Sequence, residues 1–199
     1  MAQILGIYGS PRKGGNSDIL LDALLASARD AGAETTVLYS RKLKIHGCLE
    51  CGGCDETGTC VIRDDMDQVY EAISRASAVV LSSPVFFYGF PSELKALVDR
   101  CQALWSGRLL RKQGAARKVY DSGTGWLLAV GASRGENLFS GCELAARYFC
   151  DALDREYRGG LFYRRVEKKG AISDHPTALS EARTLGGRIA LELSQHLET

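Results

Sequence analysis

Cys48, Cys51, Cys54 and Cys60 crowd into one short stretch of a chain that has seven cysteines in all. Two-residue spacing lets successive thiolates turn inward on one small centre, which is how compact ferredoxin-type sites hold a cubane. Gly47, Gly52, Gly53 and Gly58 lie between and beside them and permit the tight turns this needs. Two other readings stay open. One is a four-thiolate zinc site, although structural zinc usually draws on two separated hairpins. The other is a set of thiols left empty or oxidised to disulfides.

A second group with chemistry in it runs from Gly9 to Ser17 (GSPRKGGNS). It offers the hydroxyls of Ser10 and Ser17, the Asn16 amide, the Arg12 guanidinium and the Lys13 ammonium, and it falls between the apolar run Ile4–Tyr8 and a helical pattern carrying Ile19, Leu20, Leu24 and Leu25. The first turn of a helix has backbone N–H groups without intrahelical partners, and its dipole adds partial positive charge, so a phosphate placed there meets donors the fold already supplies. The loop is neither GxxxxGK[ST] nor GxGxxG, which disfavours a triphosphatase or a dinucleotide fold and leaves a site suited to a terminal monophosphate. Taken alone it is equally readable as an ordinary strand-to-helix turn.

Two further loops complete the set. Pro84, Val85, Phe86, Phe87, Tyr88, Gly89, Phe90 and Pro91 place four aromatics and a glycine between two prolines. The aromatics suit a flat ligand, or else core or dimer contacts. Gly131 to Glu136, including Ala132, Ser133, Arg134 and Gly135, is a polar loop behind another apolar run.

The elements that must position these loops follow from periodicity. Strands are expected at Ile4–Tyr8, Glu34–Tyr39, Ala78–Ser82, Trp126–Val130 and Arg158–Tyr163. The first helix should end near Ala31-Gly32, a second opens on Asp64-Asp65-Met66-Asp67, and a third starts at Pro91 with Leu94, Leu97, Val98, Cys101 and Leu104 on one face. A fourth runs from about Asn137 to Leu153, and a last one starts at Pro176. Ser40 to Arg63 reads as a long functional loop. Trp105 to Gly125, with Arg108, Arg111, Lys112, Arg117 and Lys118, reads as a solvated crossover. His46 and His175 read as local hydrogen-bonding or capping residues, and the Asp64, Asp65 and Asp67 carboxylates as first-turn helix chemistry rather than a metal patch.

Alternating strands and helices predict an α/β fold: a flavodoxin-like three-layer sandwich with a five-stranded parallel sheet of order 2-1-3-4-5 and helices on both faces. Residues 1–199 are expected to form one domain, with a cysteine-rich loop at about 45–62. The ligand site of such a sheet lies where strands one and three diverge, and there the phosphate, aromatic and polar loops converge. A phosphate tail on a flat conjugated ring matches that set, and flavin mononucleotide (FMN) is the candidate.

The net charge of +1 gives no broad basic surplus for nucleic acid. No leader and no apolar run of membrane-spanning length is evident, so a cytoplasmic protein is expected, with Cys101, Cys142 and Cys150 as buried small apolar groups.

GSPRKGGNSDILLDAL, the four-cysteine loop, DDM, SSPVFFYGFPSELKALVDR and a late HP..L..A resemble the NAD(P)H-dependent FMN reductase superfamily, and within it the iron-sulfur flavoproteins of anaerobic archaea and bacteria. The similarity runs over nearly the whole chain and is weakest between Ser106 and Gly125. It implies FMN phosphate at Ser10, Arg12, Asn16 and Ser17, and Pro84 to Gly89 beside the isoalloxazine. By position it also implies Ala132 to Gly135 at the other ring edge. It further implies a 4Fe-4S cluster on Cys48, Cys51, Cys54 and Cys60 close to FMN, and dimers or tetramers with sites at subunit interfaces.

The resulting expectation is an oxidoreductase with no catalytic side-chain base, taking electrons from NAD(P)H or ferredoxin and passing them to a quinone or other small acceptor. Backbone N–H groups near Tyr88 and Gly89 are expected to tune the flavin. A flavodoxin-like carrier with no substrate of its own is the alternative, disfavoured because flavodoxins are usually strongly acidic. An oxidant sensor whose cysteines bind no cluster is a third.

Overall fold

The computed structural model describes residues 3–196. Five strands, β1 (Gln3–Tyr8), β2 (Glu34–Tyr39), β3 (Ala78–Pro84), β4 (Thr124–Val130) and β5 (Glu156–Tyr163), pair in parallel in the order β2-β1-β3-β4-β5. Helices α1 (Asn16–Asp30), α2 (Met66–Arg75), α3 (Ser92–Arg100), α4 (Gln102–Arg111), α5 (Ser140–Ala152) and α6 (Ala178–His196) make the crossovers and the last layer. The fold is the expected flavodoxin-like one.

Why these residues take these places follows from burial. β1 and β3 are almost continuously apolar, as parallel strands covered on both faces must be, and β2, richer in polar residues, takes an edge. Successive side chains point to opposite faces. Ile4, Val80 and Leu128 therefore pack with Leu20, Leu24 and Ile189 of α1 and α6. Leu5, Ile7, Val79, Leu81 and Leu127 pack with Met66, Leu94 and Phe149 of α2, α3 and α5. The strand ends Tyr8, Pro84 and Val130 thus open together at one edge, where the chain leaves each strand for a loop.

Three expectations change. The helix after Pro91 breaks at Cys101 into α3 and α4. The crossover after Trp105 is not solvated throughout: α4 runs to Arg111, and Arg108 is 1% exposed between Asp151 and Asp154. Charge without periodicity looked like surface because its partners lie across a helix that is distant in sequence. Nor is any of Phe86, Phe87 and Tyr88 a core residue; Phe90 takes that place. Asp64 and Asp65 also reach beyond the start of α2, Asp64 to Arg100 and the His46 N–H and Asp65 to the Lys44 N–H. His175 Nδ1 accepts the Thr177 and Ala178 N–H groups at 3.3 and 3.2 Å, capping α6. Cys101, Cys142 and Cys150 are buried, and burial pushes the thiols of Cys142 and Cys150 up to about 12, which leaves them unreactive at neutral pH.

Candidate functional site

At the start of α1 the first N–H groups lack intrahelical acceptors by construction, and Ser10, Asn16, Ser17 and Asp18 are all buried around them. The Ser17 hydroxyl is buried with no hydrogen-bond partner. A buried polar atom in that state costs free energy unless a ligand satisfies it. The Ser17 carbonyl accepts the Ser82 hydroxyl at 2.6 Å, which fastens the helix start to β3. The Ser10 hydroxyl braces the turn through the backbone of Arg12, whose side chain is exposed.

Asn16 is placed differently from its expected part. Its Nδ2 donates to the Lys168 carbonyl at 2.9 Å and its Oδ1 accepts the Ile172 N–H at 3.3 Å, so the amide ties α1 to the segment after β5. That segment brings Lys169 over the loop, its Nζ 3.9 Å from where a Cβ on Gly14 would stand. Arg41 and Asp18 also belong to the site without having been singled out. Asp18 Oδ2 accepts the Gly14 N–H at 3.0 Å and pairs with Arg41 at 3.1 Å, while Arg41 donates to the Ser10 carbonyl at 3.0 Å. Burial raises the Asp18 pKa despite Arg41 and the Gly14 N–H, which pull it down.

A cavity of about 140 Å³ joins this helix start to Pro84, Val85 and Phe86, to Val130, Gly131 and Ala132, and to Val166 and Glu167. The aromatic segment is a two-residue turn, with Phe86 and Gly89 exchanging N–H···O bonds of 2.9 and 2.8 Å. Phe87 (φ 47°) and Tyr88 (φ 63°) occupy the left-handed region, a conformation non-glycine residues adopt at a cost of order 1–3 kcal/mol and one that gathers at functional sites. Phe86, Phe87 and Tyr88 are all exposed. The Gly89 N–H is spent within the turn, which removes it from the donors expected to tune a flavin. Ser133, Arg134 and Gly135 are exposed on the facing loop, where a Cβ on Gly135 would stand 3.4 Å from the Tyr88 hydroxyl.

The four cysteines of the long loop are free, and all line one cavity of about 620 Å³ with Asp99, Arg100, Gln102 and Ala103. Gly58 (φ +68°) fixes the loop on α4: a Cβ there would stand 2.6 Å from the Gly107 Cα, a contact no side chain allows. Among the described residues no three His, Cys, Asp or Glu side chains stand in metal-holding geometry. The donor types and the room suit a thiolate-ligated group, while the sulfurs line its cavity without converging. This cavity lies against the C-terminal end of α3, whereas the aromatic turn precedes its N-terminal end. The nine residues of α3, about 13 Å of helix, lie between the two.

A family model described as NADPH-dependent FMN reductase matches residues 2–137, a range holding the phosphate loop, the cysteine loop and the aromatic turn. The chain belongs to the NADPH-dependent FMN reductase family. Within that family it is 38% identical over 132 residues to an iron-sulfur flavoprotein of Methanosarcina thermophila, covering 66% of this chain and 64% of the relative. It is 35% identical over 132 residues to one of Methanocaldococcus jannaschii, covering 66% and 63%. The match therefore spans less than two thirds of the length of these relatives. A solved structure of an NAD(P)H:quinone oxidoreductase from Methanothermobacter marburgensis shares the fold with a TM-score of 0.66 at 16% identity, over 93% of this chain and 94% of that one. Asn16's partners and Lys169 lie beyond the part matched to the FMN reductase model.

One glycine gives a direct test of the aromatic turn. A Cβ on Gly141, in the first turn of α5, would stand 2.2 Å from the Tyr88 carbonyl oxygen. Gly141→Ala is expected to push the turn outward, at a cost of about 1–3 kcal/mol in stability and roughly tenfold in FMN affinity, read by unfolding and by flavin fluorescence titration.

Proposed function

We propose that this chain is an FMN-dependent oxidoreductase that also carries a 4Fe-4S cluster on Cys48, Cys51, Cys54 and Cys60. It would take electrons from NAD(P)H or a ferredoxin and deliver them to a quinone or another small acceptor. The observation that carries the reading is the buried, unpartnered Ser17 hydroxyl at the α1 start, in one cavity with Pro84, Val85 and Phe86, which lead into the strained aromatic turn.

In this reading the α1 N–H groups and the hydroxyls of Ser10 and Ser17 hold the phosphate. Arg12 and Lys169 screen its charge. Asn16 positions the loop by spending its amide on Lys168 and Ile172 rather than on the phosphate. Pro84 to Tyr88 present apolar faces to a ring, with Ala132 to Gly135 at the opposite edge. FMN when bound supplies the hydride and single-electron chemistry, so the side chains orient and exclude water and no catalytic base is assigned. The exposed Phe86, Phe87 and Tyr88 suit closure of the site by a second copy, which fits a homodimer or homotetramer. No helix among the described residues is long and apolar enough to cross a membrane, which accords with a cytoplasmic placement and a diffusible donor and acceptor.

Protein purified without oxygen should show flavin bands with a broad visible shoulder and about four irons per chain, with matching sulfide. It should also oxidise NADPH with a quinone present. Flavin without iron overturns the cluster, and failure to take up FMN overturns the whole reading. Negligible turnover with bound flavin would instead make the chain a carrier.

A further inference from the structure

Arg100, the last residue of α3, is 1% exposed and lines the cavity of the four cysteines. Its Nη1 donates to the His46 carbonyl at 2.8 Å and to Asp64 Oδ2 at 2.7 Å, and its Nη2 donates to the Ile62 carbonyl at 3.1 Å. One guanidinium therefore grips the cysteine loop just before Cys48 and just after Cys60. Its Nε is buried and has no partner. A guanidinium stays protonated over the whole accessible pH range, and here it is paired with Asp64 at 2.7 Å. Burial opposes the Asp64 charge, but Arg100 and the His46 and Met66 N–H groups hold its pKa low, and Asp64 does not line the cavity. Of the two partners, Arg100 is the one that lines the cavity of the thiols.

We infer that Arg100 is the residue that sets the reduction potential of the centre held by Cys48, Cys51, Cys54 and Cys60. This rests on the cluster reading above. Four thiolates leave a cubane with net negative charge, and one added electron makes it more negative while no bond forms or breaks. A fixed cation at the cavity wall stabilises the reduced form more than the oxidised one and raises the potential. Cluster potentials respond to net charge and to hydrogen bonds at sulfur, and residues just outside the ligands tune metal centres in this way. The buried, unpartnered Nε–H is a donor of the required kind.

Two substitutions of opposite sign test this on the anaerobic holoprotein, with the midpoint potential of the cluster read by redox titration followed by electron paramagnetic resonance. Arg100→Gln should lower the potential by at least tenfold in the one-electron equilibrium, about 59 mV, while Arg100→Lys should recover most of the native value. Asp64→Asn, which keeps Arg100 and removes the opposing charge paired with it at 2.7 Å, should move the potential upward. A role confined to strapping the loop predicts lost iron without this pair of signed shifts. If Arg100→Gln loses iron, Asp64→Asn decides: an upward shift supports the inference and an unchanged or lower potential overturns it. Full iron at native potential in Arg100→Gln also overturns it. Absence of iron from the native chain would instead sink the cluster reading itself, a result separable from every one of these.

Discussion

Ser17→Ala should weaken FMN binding by about 1.5–3 kcal/mol, roughly ten- to hundredfold, while leaving the ligand-free protein no less stable. The two effects have opposite signs for one reason. In the ligand-free protein the Ser17 hydroxyl is buried with nothing to bond, so removing it deletes a polar group that is costing stability. A phosphate at the α1 start would give that hydroxyl a charged acceptor, and the alanine variant forfeits that bond only when ligand is present. Asn16→Ala makes the contrast, because its amide already bonds Lys168 and Ile172 in the ligand-free chain and its loss should lower stability and affinity together. Fluorescence quenching of FMN gives the affinity and denaturant unfolding gives the stability. If Ser17→Ala unfolds earlier yet binds FMN normally, Ser17 is a structural residue and the phosphate belongs elsewhere.

The contrast between Ser17 and Asn16 also marks what a sequence discloses about such a site. Both read as polar groups in a turn before a helix, and local chemistry offers no way to tell the one whose partners are fulfilled from the one left waiting. The difference is made by residues more than 150 positions away. What is local was legible: the unbroken apolar runs that became β1 and β3, the loops after them, and the cysteine spacing. The sheet order then followed from the crossover rules, and with it the convergence of the three loops. Arg41, Lys169 and Gly141 carried no local signal, since a cation after an edge strand and a glycine at a helix start are common, and each acquires meaning only from what the fold sets against it. Arg100 and Arg108 illustrate the same limit more sharply. A cation in a helical pattern is ordinarily a solvated one, and here two of them are among the largest fully buried side chains of the molecule.

Arg108→Ala should cost about 3–5 kcal/mol of stability, the usual price of leaving one partner of a buried ion pair alone. At this chain length that corresponds to a melting temperature lower by roughly 10 °C. Arg108 Nε bonds Asp154 at 2.9 Å, its Nη1 bonds Asp151 at 2.8 Å, and its Nη2 bonds the Arg117 carbonyl. The guanidinium lies 5.8 Å from the Trp105 ring centroid and 5.0 Å from that of Tyr120. Lys112 shares Asp154 at 2.7 Å and adds Asp121 at 2.8 Å. These contacts join α4 to the end of α5 and to the segment after Arg111, so their loss should loosen that whole corner rather than one side chain. Arg108→Lys should recover little, because an ammonium cannot reproduce the planar fork that reaches two carboxylates and a carbonyl at once. Lys118→Ala, at an exposed position of the same segment, should change stability by less than about 0.5 kcal/mol. Thermal unfolding of the three variants followed by circular dichroism separates the possibilities. If Arg108→Ala melts with the native chain, the buried ion pairs of Arg108 add nothing net to stability. A large loss confined to Arg108 makes it instead the clasp that holds α4, and with it the wall of the cysteine cavity, against the sheet.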